Sequence, residues 1–154
     1  MSGFAAFDDS LRTRGGKPMA LSDDPKDVTR KFYDSYNEQN LHASFERYVA
    51  ADAQNHAMGG AFDRAGWLET DSSLFGAFAD FSMTILDQIA EDDKVATRWM
   101  MKCTQRAEFF GVPSSGRTAV MAGTAVDRVS DGKIAEHWLD VDFAGFLQQL
   151  APPP

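Results

Sequence analysis

The sequence predicts an α+β domain in which helices lie on one face of a curved antiparallel sheet and leave a pocket between the layers. Three observations carry that reading. Apolar residues recur at helical spacing through the first half of the chain, the period shortens to two residues beyond Asp80, and a last helical stretch follows Asp142. Each change of period is marked by a capping or turn residue.

Asp24 and Pro25 pair a capping side chain with a proline at the first helical position. Val28, Phe32 and Tyr36 follow on one face, so a first helix runs to about Glu38. Asn40 breaks it, and Leu41 to Tyr48 forms a second helix that buries Leu41 and Phe45. Asn55, His56 and Met58 then lie in an extended piece ended by Gly59 and Gly60. From Asp63 a third helix carries Trp67, Leu68, Leu74, Phe75 and Phe78 on its buried side. Beyond it Phe81, Met83 and Ile85 alternate with polar residues up to an acidic turn at Glu91, Asp92 and Asp93. A long strand from Lys94 to about Phe109 puts Val95, Thr97, Trp99, Met101, Cys103 and Gln105 on one face. A Gly, Pro and Ser loop leads into a hairpin of Ala119 to Val129 and Lys133 to Val141, turned at Ser130, Asp131 and Gly132. Asp142 caps a closing helix with Phe143, Phe146, Leu147 and Leu150 on its buried side.

The second hairpin strand is where chemistry is expected. Alternation puts Ala135, His137, Leu139 and Val141 on one face and Ile134, Glu136, Trp138 and Asp140 on the other, and neither face is purely apolar. His137 is expected to face the pocket and Trp138 to be a buried core residue on the opposite face.

Composition narrows the function classes. With 154 residues, 44% hydrophobic and 25% charged, the chain makes one domain with a core that needs no disulfide or metal. Residues 1–22 read as an N-terminal extension, 23–151 as the domain and 152–154 as a proline tail. A net charge of -8 and a pI of about 4.7 argue against nucleic acid or an anionic membrane as partner. The lone Cys103 excludes an internal disulfide and reads as a buried small residue. No apolar run reaches membrane-spanning length and no signal pattern opens the chain, so a cytoplasmic protein is expected. His42, His56 and His137 lack metal-ligand spacing, so no metal is expected, and no phosphate loop or nucleophile elbow suggests another cofactor. Twelve Phe, three Trp and three Tyr suit a core or the lining of a cavity for an apolar ligand.

Several separated motifs, in order, resemble the SnoaL-like polyketide cyclases, a branch of the nuclear transport factor 2 type of fold. They are KFYDSYNEQNL, DDKVATRW, TQRAEFFGVPSSGR, DGKIAEHW and DFAGFLQQL, spread from about Asp24 to Leu150. The resemblance implies a cone-shaped sheet and a cofactor-free, metal-free pocket in which a carboxylate moves a proton on an apolar polycyclic substrate. In the ring-closing members the acid/base Asp directly follows the Trp of the EHW motif, whereas Leu139 stands here. Polar positions on the preceding strand are Gly123 and Ala125, and Gln105 stands where a His is commoner.

The catalytic candidates are therefore His137, Asp140 and His56. Asp140 reaches the pocket only if a bulge turns it inward, and His56 lies near the expected mouth. Asn55, Trp99, Gln105, Trp138 and Leu139 are candidates for contact with substrate. Three readings remain open. The chain is an enzyme of proton transfer such as cyclisation, isomerisation or hydration, a binding protein for an apolar small molecule, or a dimeric association domain. A homodimer is expected, because a half-covered sheet with Trp, Met and Val on it leaves an apolar patch in water.

Overall fold

The computed structural model describes residues 24–153, so the N-terminal extension with Phe4, Phe7 and Leu11, and the last proline, lie outside the described residues. Helix α1 (Pro25–Ser35) runs on as a 3-10 turn (Tyr36–Glu38), and α2 is Leu41–Tyr48. Strands β1 (Val49–Ala57) and β2 (Gly60–Asp63) form a hairpin, and α3 (Arg64–Ala77) follows. Then come β3 (Phe78–Glu91), β4 (Lys94–Gln105), β5 (Thr118–Ser130), β6 (Lys133–Val141) and α4 (Phe143–Leu150).

Asp142 caps its helix as read from the sequence, whereas Asp24 takes the N-cap position of α1 with no side-chain cap hydrogen bond. Asn40, Asp63 and Asp142 each accept a hydrogen bond from the backbone N–H three residues on, at 3.2, 2.9 and 2.9 Å. At the β5–β6 turn Asp131 and Gly132 both have positive φ, 50° and 72°, which is the backbone that a tight hairpin with native twist requires.

The six strands form one open sheet in the order β2-β1-β6-β5-β4-β3. Neighbours are antiparallel except β1 and β6, which run parallel. That junction departs from the all-antiparallel expectation because no hairpin links those two strands and so none fixes their direction. Register shifts in β1, β3 and β6 insert extra residues, and such bulges bend and twist a sheet. The bulge in β6 falls at Ala135, since Glu136 pairs with Arg128 while Ile134 pairs with Val129. It brings Ile134 inward along with His137, correcting the simple alternation that set them on opposite faces.

The helices cover the inner face. Phe32 of α1 is the hub, with the rings of Tyr36, Phe45 and Trp67 edge-on at 5.2, 5.8 and 5.7 Å. From the sheet, Trp99, Met101, Cys103, Met121, Ala125 and Ile134 complete this core. Cys103 is buried as expected, and burial pushes its thiol up to about 12. Phe78 opens β3 instead of closing α3 and packs with Phe109 and Phe146 at the other end of the core. Among the described residues no helix is long and apolar enough to cross a membrane.

Strand β4 stops at Gln105, four residues short of the expected Phe109, and the Gln105 side chain explains it. Its Nε2 donates to the carbonyls of Ala107 and Val112 at 3.0 Å each, and its Oε1 accepts from the Ser115 amide and hydroxyl at 3.1 and 2.7 Å. A fully buried amide with all of these bonds folds the 106–117 loop back on the sheet and has no capacity left for a substrate. The substrate-contact expectation for Gln105 is therefore corrected to a structural role. Gln105→Leu is expected to lower stability by about 2–4 kcal/mol in a denaturant melt, because it removes the four hydrogen bonds that hold the 106–117 loop against the sheet. A loss under about 0.5 kcal/mol, as at an unremarkable surface site, would contradict this account.

Candidate active site

Across the β5–β6 hairpin Asp127 pairs with His137, and both side chains are buried, at 0% and 4% exposure. His137 Nδ1 and Asp127 Oδ1 are 2.6 Å apart, and the Tyr33 hydroxyl of α1 donates to Asp127 Oδ2 at 2.8 Å. A carboxylate only accepts, so in the neutral imidazole it is Nδ1–H that donates to Asp127 and Nε2 that keeps the lone pair. The imidazole stacks on the Trp67 indole at 4.5 Å and 19°, which fixes its plane. Burial, with the Asp127 charge next, holds the Tyr33 phenol well above its ordinary range, so it stays a donor.

His137 lines an internal cavity of about 80 Å³. Its walls are otherwise aromatic and aliphatic, from Phe32 and Tyr36, Trp67 and Leu74, Met83, Trp99, Met101, Met121 and Leu139. One more polar group enters it. Asp71 of α3, partly exposed as a residue, turns its carboxyl to the cavity, where the Tyr36 hydroxyl donates to Oδ2 at 2.5 Å. Desolvation pushes this carboxyl up to about 6, against smaller lowering effects from Tyr36, His137 and Trp67.

The other expected site residues divide between the two faces of the sheet. Leu139 and Trp99 line the cavity, and the buried Trp99 indole N–H has no partner among the described residues. Gly123 is there to admit Trp99, since a Cβ at that position would lie 2.6 Å from the indole Cζ2. Asn55 is buried beside His137 in the parallel register but does not line the cavity. His56, Trp138 and Asp140 lie on the outer side. His56 Nε2 meets Glu136 at 3.1 Å and its ring stacks on Trp138 at 5.3 Å, while Glu136 also takes Arg128 at 2.9 Å. The pairing of β5 and β6 is regular around Asp140, so no bulge turns it inward and it stays exposed. Trp138 is half-buried, which corrects the expectation of a core tryptophan. These three residues border an outer recess of about 390 Å³, and Leu139 lines both it and the inner cavity.

Sequence reasoning passed over Asp127, Asp71, Tyr33 and Tyr36 as site residues. A signal existed for both carboxylates. Asp127 interrupts the apolar alternation Met121, Gly123, Ala125, Val129 of β5, and Asp71 sits one turn after Trp67 and one before Leu74 on the covered side of α3. Among the described residues no three His, Cys, Asp or Glu side chains are grouped to hold a metal ion.

The raised Asp71 carboxyl has a measurable cost to folding. The unfolded chain releases this proton near 3.8 and the folded one near 6, so between these values the folded protein holds the proton and rising pH favours unfolding. The penalty is complete above the folded value and absent below the unfolded one. Asp71→Asn is thus expected to be more stable than wild type by on the order of 2 kcal/mol at about pH 8, with the gap closing as pH falls toward 4. Parallel denaturant melts that show a constant gap, or a less stable variant at about pH 8, would refute the assignment.

A SnoaL-like polyketide cyclase family model matches residues 26–150. Among solved structures, IdmH of Streptomyces antibioticus, described as a candidate polyketide cyclase, is 34% identical with a TM-score of 0.73, over 82% of this chain and 98% of that one. A candidate polyketide cyclase from Acidithiobacillus ferrooxidans is 27% identical with a TM-score of 0.69, over 86% and 97%. AclR of Streptomyces galilaeus, described as a candidate hydroxylase, shares the fold at 23% identity with a TM-score of 0.77, over 84% and 97%. No curated protein matches the chain. The family match, which takes in α1 through α4 and every strand between, agrees with the observed fold: the chain belongs to the SnoaL-like polyketide cyclase family.

Proposed function

We propose that the protein catalyses cofactor-independent proton transfer on an apolar carbonyl compound, with His137 as the base. The observation that carries this reading is the buried Tyr33, Asp127 and His137 chain ending in a free imidazole nitrogen at an apolar cavity. Asp127 holds the imidazole in the tautomer that presents Nε2, and it stabilises the imidazolium that forms when a proton is taken. In water these groups would be solvated and weak. Here the ring is pinned between Trp67 and Asp127 before any substrate arrives, so no reorganisation is needed at the moment of transfer. The unpartnered Trp99 N–H favours a ligand that brings an oxygen.

Such a proton step is common to isomerisation, enol formation and aldol ring closure. Family membership favours a polyketide-like substrate, in which carbonyls alternate with acidic carbons. A bicyclic ketone needs more room than about 80 Å³, so in this reading Leu139 swings aside and joins the cavity to the outer recess. With Leu139 in place of the family's acid/base Asp, the base in this reading stands two residues earlier on the same face of the strand, at His137.

The second reading is a binding protein, favoured by the aromatic and methionine walls. Deuterium exchange at the carbons next to the carbonyl of 2-tetralone, followed by NMR, separates the two. The wild type is expected to accelerate exchange, and His137→Gln to reduce that acceleration by about 10²- to 10⁴-fold while ketone binding still quenches its tryptophan fluorescence as in wild type. Binding without acceleration by the wild type would sink the enzyme reading and leave the binding one.

A further inference from the structure

Resting on that reading, we propose that Asp71 is the catalytic acid of the cavity, giving its proton to the carbonyl oxygen of an enolisable ketone or ester while His137 takes the proton from the adjacent carbon. The placement comes first. On α3 the cavity is lined by Trp67, Asp71 and Leu74, a stripe with one turn between members, and a purely structural helix would carry an apolar residue in the middle of it. Tyr36 reaches it from the 3-10 turn after α1 and holds Oδ2, and Tyr36 is itself held edge-on by Phe32 at 5.2 Å. The carboxyl is therefore oriented, not merely tolerated.

The second argument is what does not face it. The titratable groups around the cavity are Tyr36 and Tyr33 from the α1 segment, Asp127 from β5 and His137 from β6, with Trp67 on Asp71's own helix. None of the described residues lining this cavity is Lys or Arg. A carboxylate kept for its charge is given a cation; one kept for its proton is given apolar walls and a hydroxyl that orients it. The upward displacement to about 6, which works against folding, agrees with a group retained for chemistry.

The step balances with these two groups alone. His137 Nε2 takes a proton from the carbon next to the carbonyl, and the C–H electron pair becomes the C=C bond of the enol. The C=O π pair moves to oxygen, which takes the Asp71 proton. Asp71 is left as a carboxylate held by the Tyr36 hydroxyl, and the imidazolium is held by Asp127. Where the enol is conjugated to a second C=C, return of the His137 proton to the γ carbon, and of the enol proton to Asp71, gives an isomer. Attack of the enol carbon on a second carbonyl gives a ring, with the enol proton returning to Asp71 and the His137 proton going to the new alkoxide. No oxidant or reductant enters.

The test is the 2-tetralone exchange measured as a pH profile for wild type, Asp71→Asn, Tyr36→Phe and His137→Gln, with circular dichroism of each. Asp71→Asn is expected to cut the rate at saturating ketone by about 10²-fold, with little change in KM, and to abolish the fall in rate as pH rises through about 6. Tyr36→Phe removes a donor that favours the carboxylate, so the falling limb should move to higher pH. A merely structural role would not move it. Wild-type rates and an unchanged limb in Asp71→Asn would overturn the assignment while a large His137→Gln effect leaves the base in place. Loss of acceleration in neither variant, or none in the wild type, would remove the parent reading with it. Should Asp71→Asn misfold, an unmoved limb in Tyr36→Phe overturns the assignment on its own.

Discussion

Asp127 is fully buried on a strand face that is otherwise apolar, and its two oxygens must be satisfied from inside the protein. Among the described residues two donors reach them, the His137 ring across the hairpin and the Tyr33 hydroxyl above it. Much of the architecture follows from that need. The β5–β6 register has to set residue 127 opposite 137, the Ala135 bulge sits on the turn side of that pair, and α1 must lie over the sheet with Tyr33 pointing down. Removing any one member leaves a buried polar atom unpaired, at a cost of about 1–3 kcal/mol or more. The polar chain thus fixes how the helical layer docks on the sheet, and the same docking leaves the cavity between them.

The two faces of β6 do different work. Inward, Ile134 belongs to the core, His137 bonds Asp127 and lines the cavity, and Leu139 forms part of the cavity wall. Outward, Glu136 binds Arg128 and His56, and Trp138 covers His56, which makes a surface network of modest worth. Burial is what separates two histidines of the same chain. His137, shut away from water with a carboxylate at 2.6 Å, is pre-set for one role, whereas His56 is open to solvent and paired at the surface. The Gly123 notch and the Trp99 indole that fills it show the same economy: a small residue on one strand shapes the wall presented by the next.

The sequence made most of the fold legible. Caps at Asp63 and Asp142, the turn at Asp131 and Gly132 and the change of period near Asp80 are local signals, set by backbone chemistry within a few residues. His137 was also accessible, because alternation gave its face. What local pattern could not give was non-local. The parallel β1–β6 junction has no hairpin to announce it, and the bulge at Ala135 shifts the phase without a glycine to mark it. The size of Trp138 suggests core, but its side of β6 sets it on the outer recess against His56. Gln105 looked like a pocket residue because its four partners lie in a loop whose path the sequence does not reveal. Asp127 and Asp71 were readable as breaks in apolar stripes, and both point to the same lesson: a carboxylate on a buried face is more informative than a histidine in a recognisable motif.

The central claim is that His137 is held in one tautomer by Asp127 with its other nitrogen free for chemistry. The nitrogen and proton resonances of the imidazole, recorded on histidine-labelled protein at about pH 8, test it without any substrate. The account predicts that Nδ1 of His137 carries a slowly exchanging, low-field proton that is lost or shifted in Asp127→Asn, and that Nε2 carries none. A protonated Nε2 beside a bare Nδ1, or a His137 signal that exchanges like the surface histidines and ignores Asp127→Asn, would contradict it.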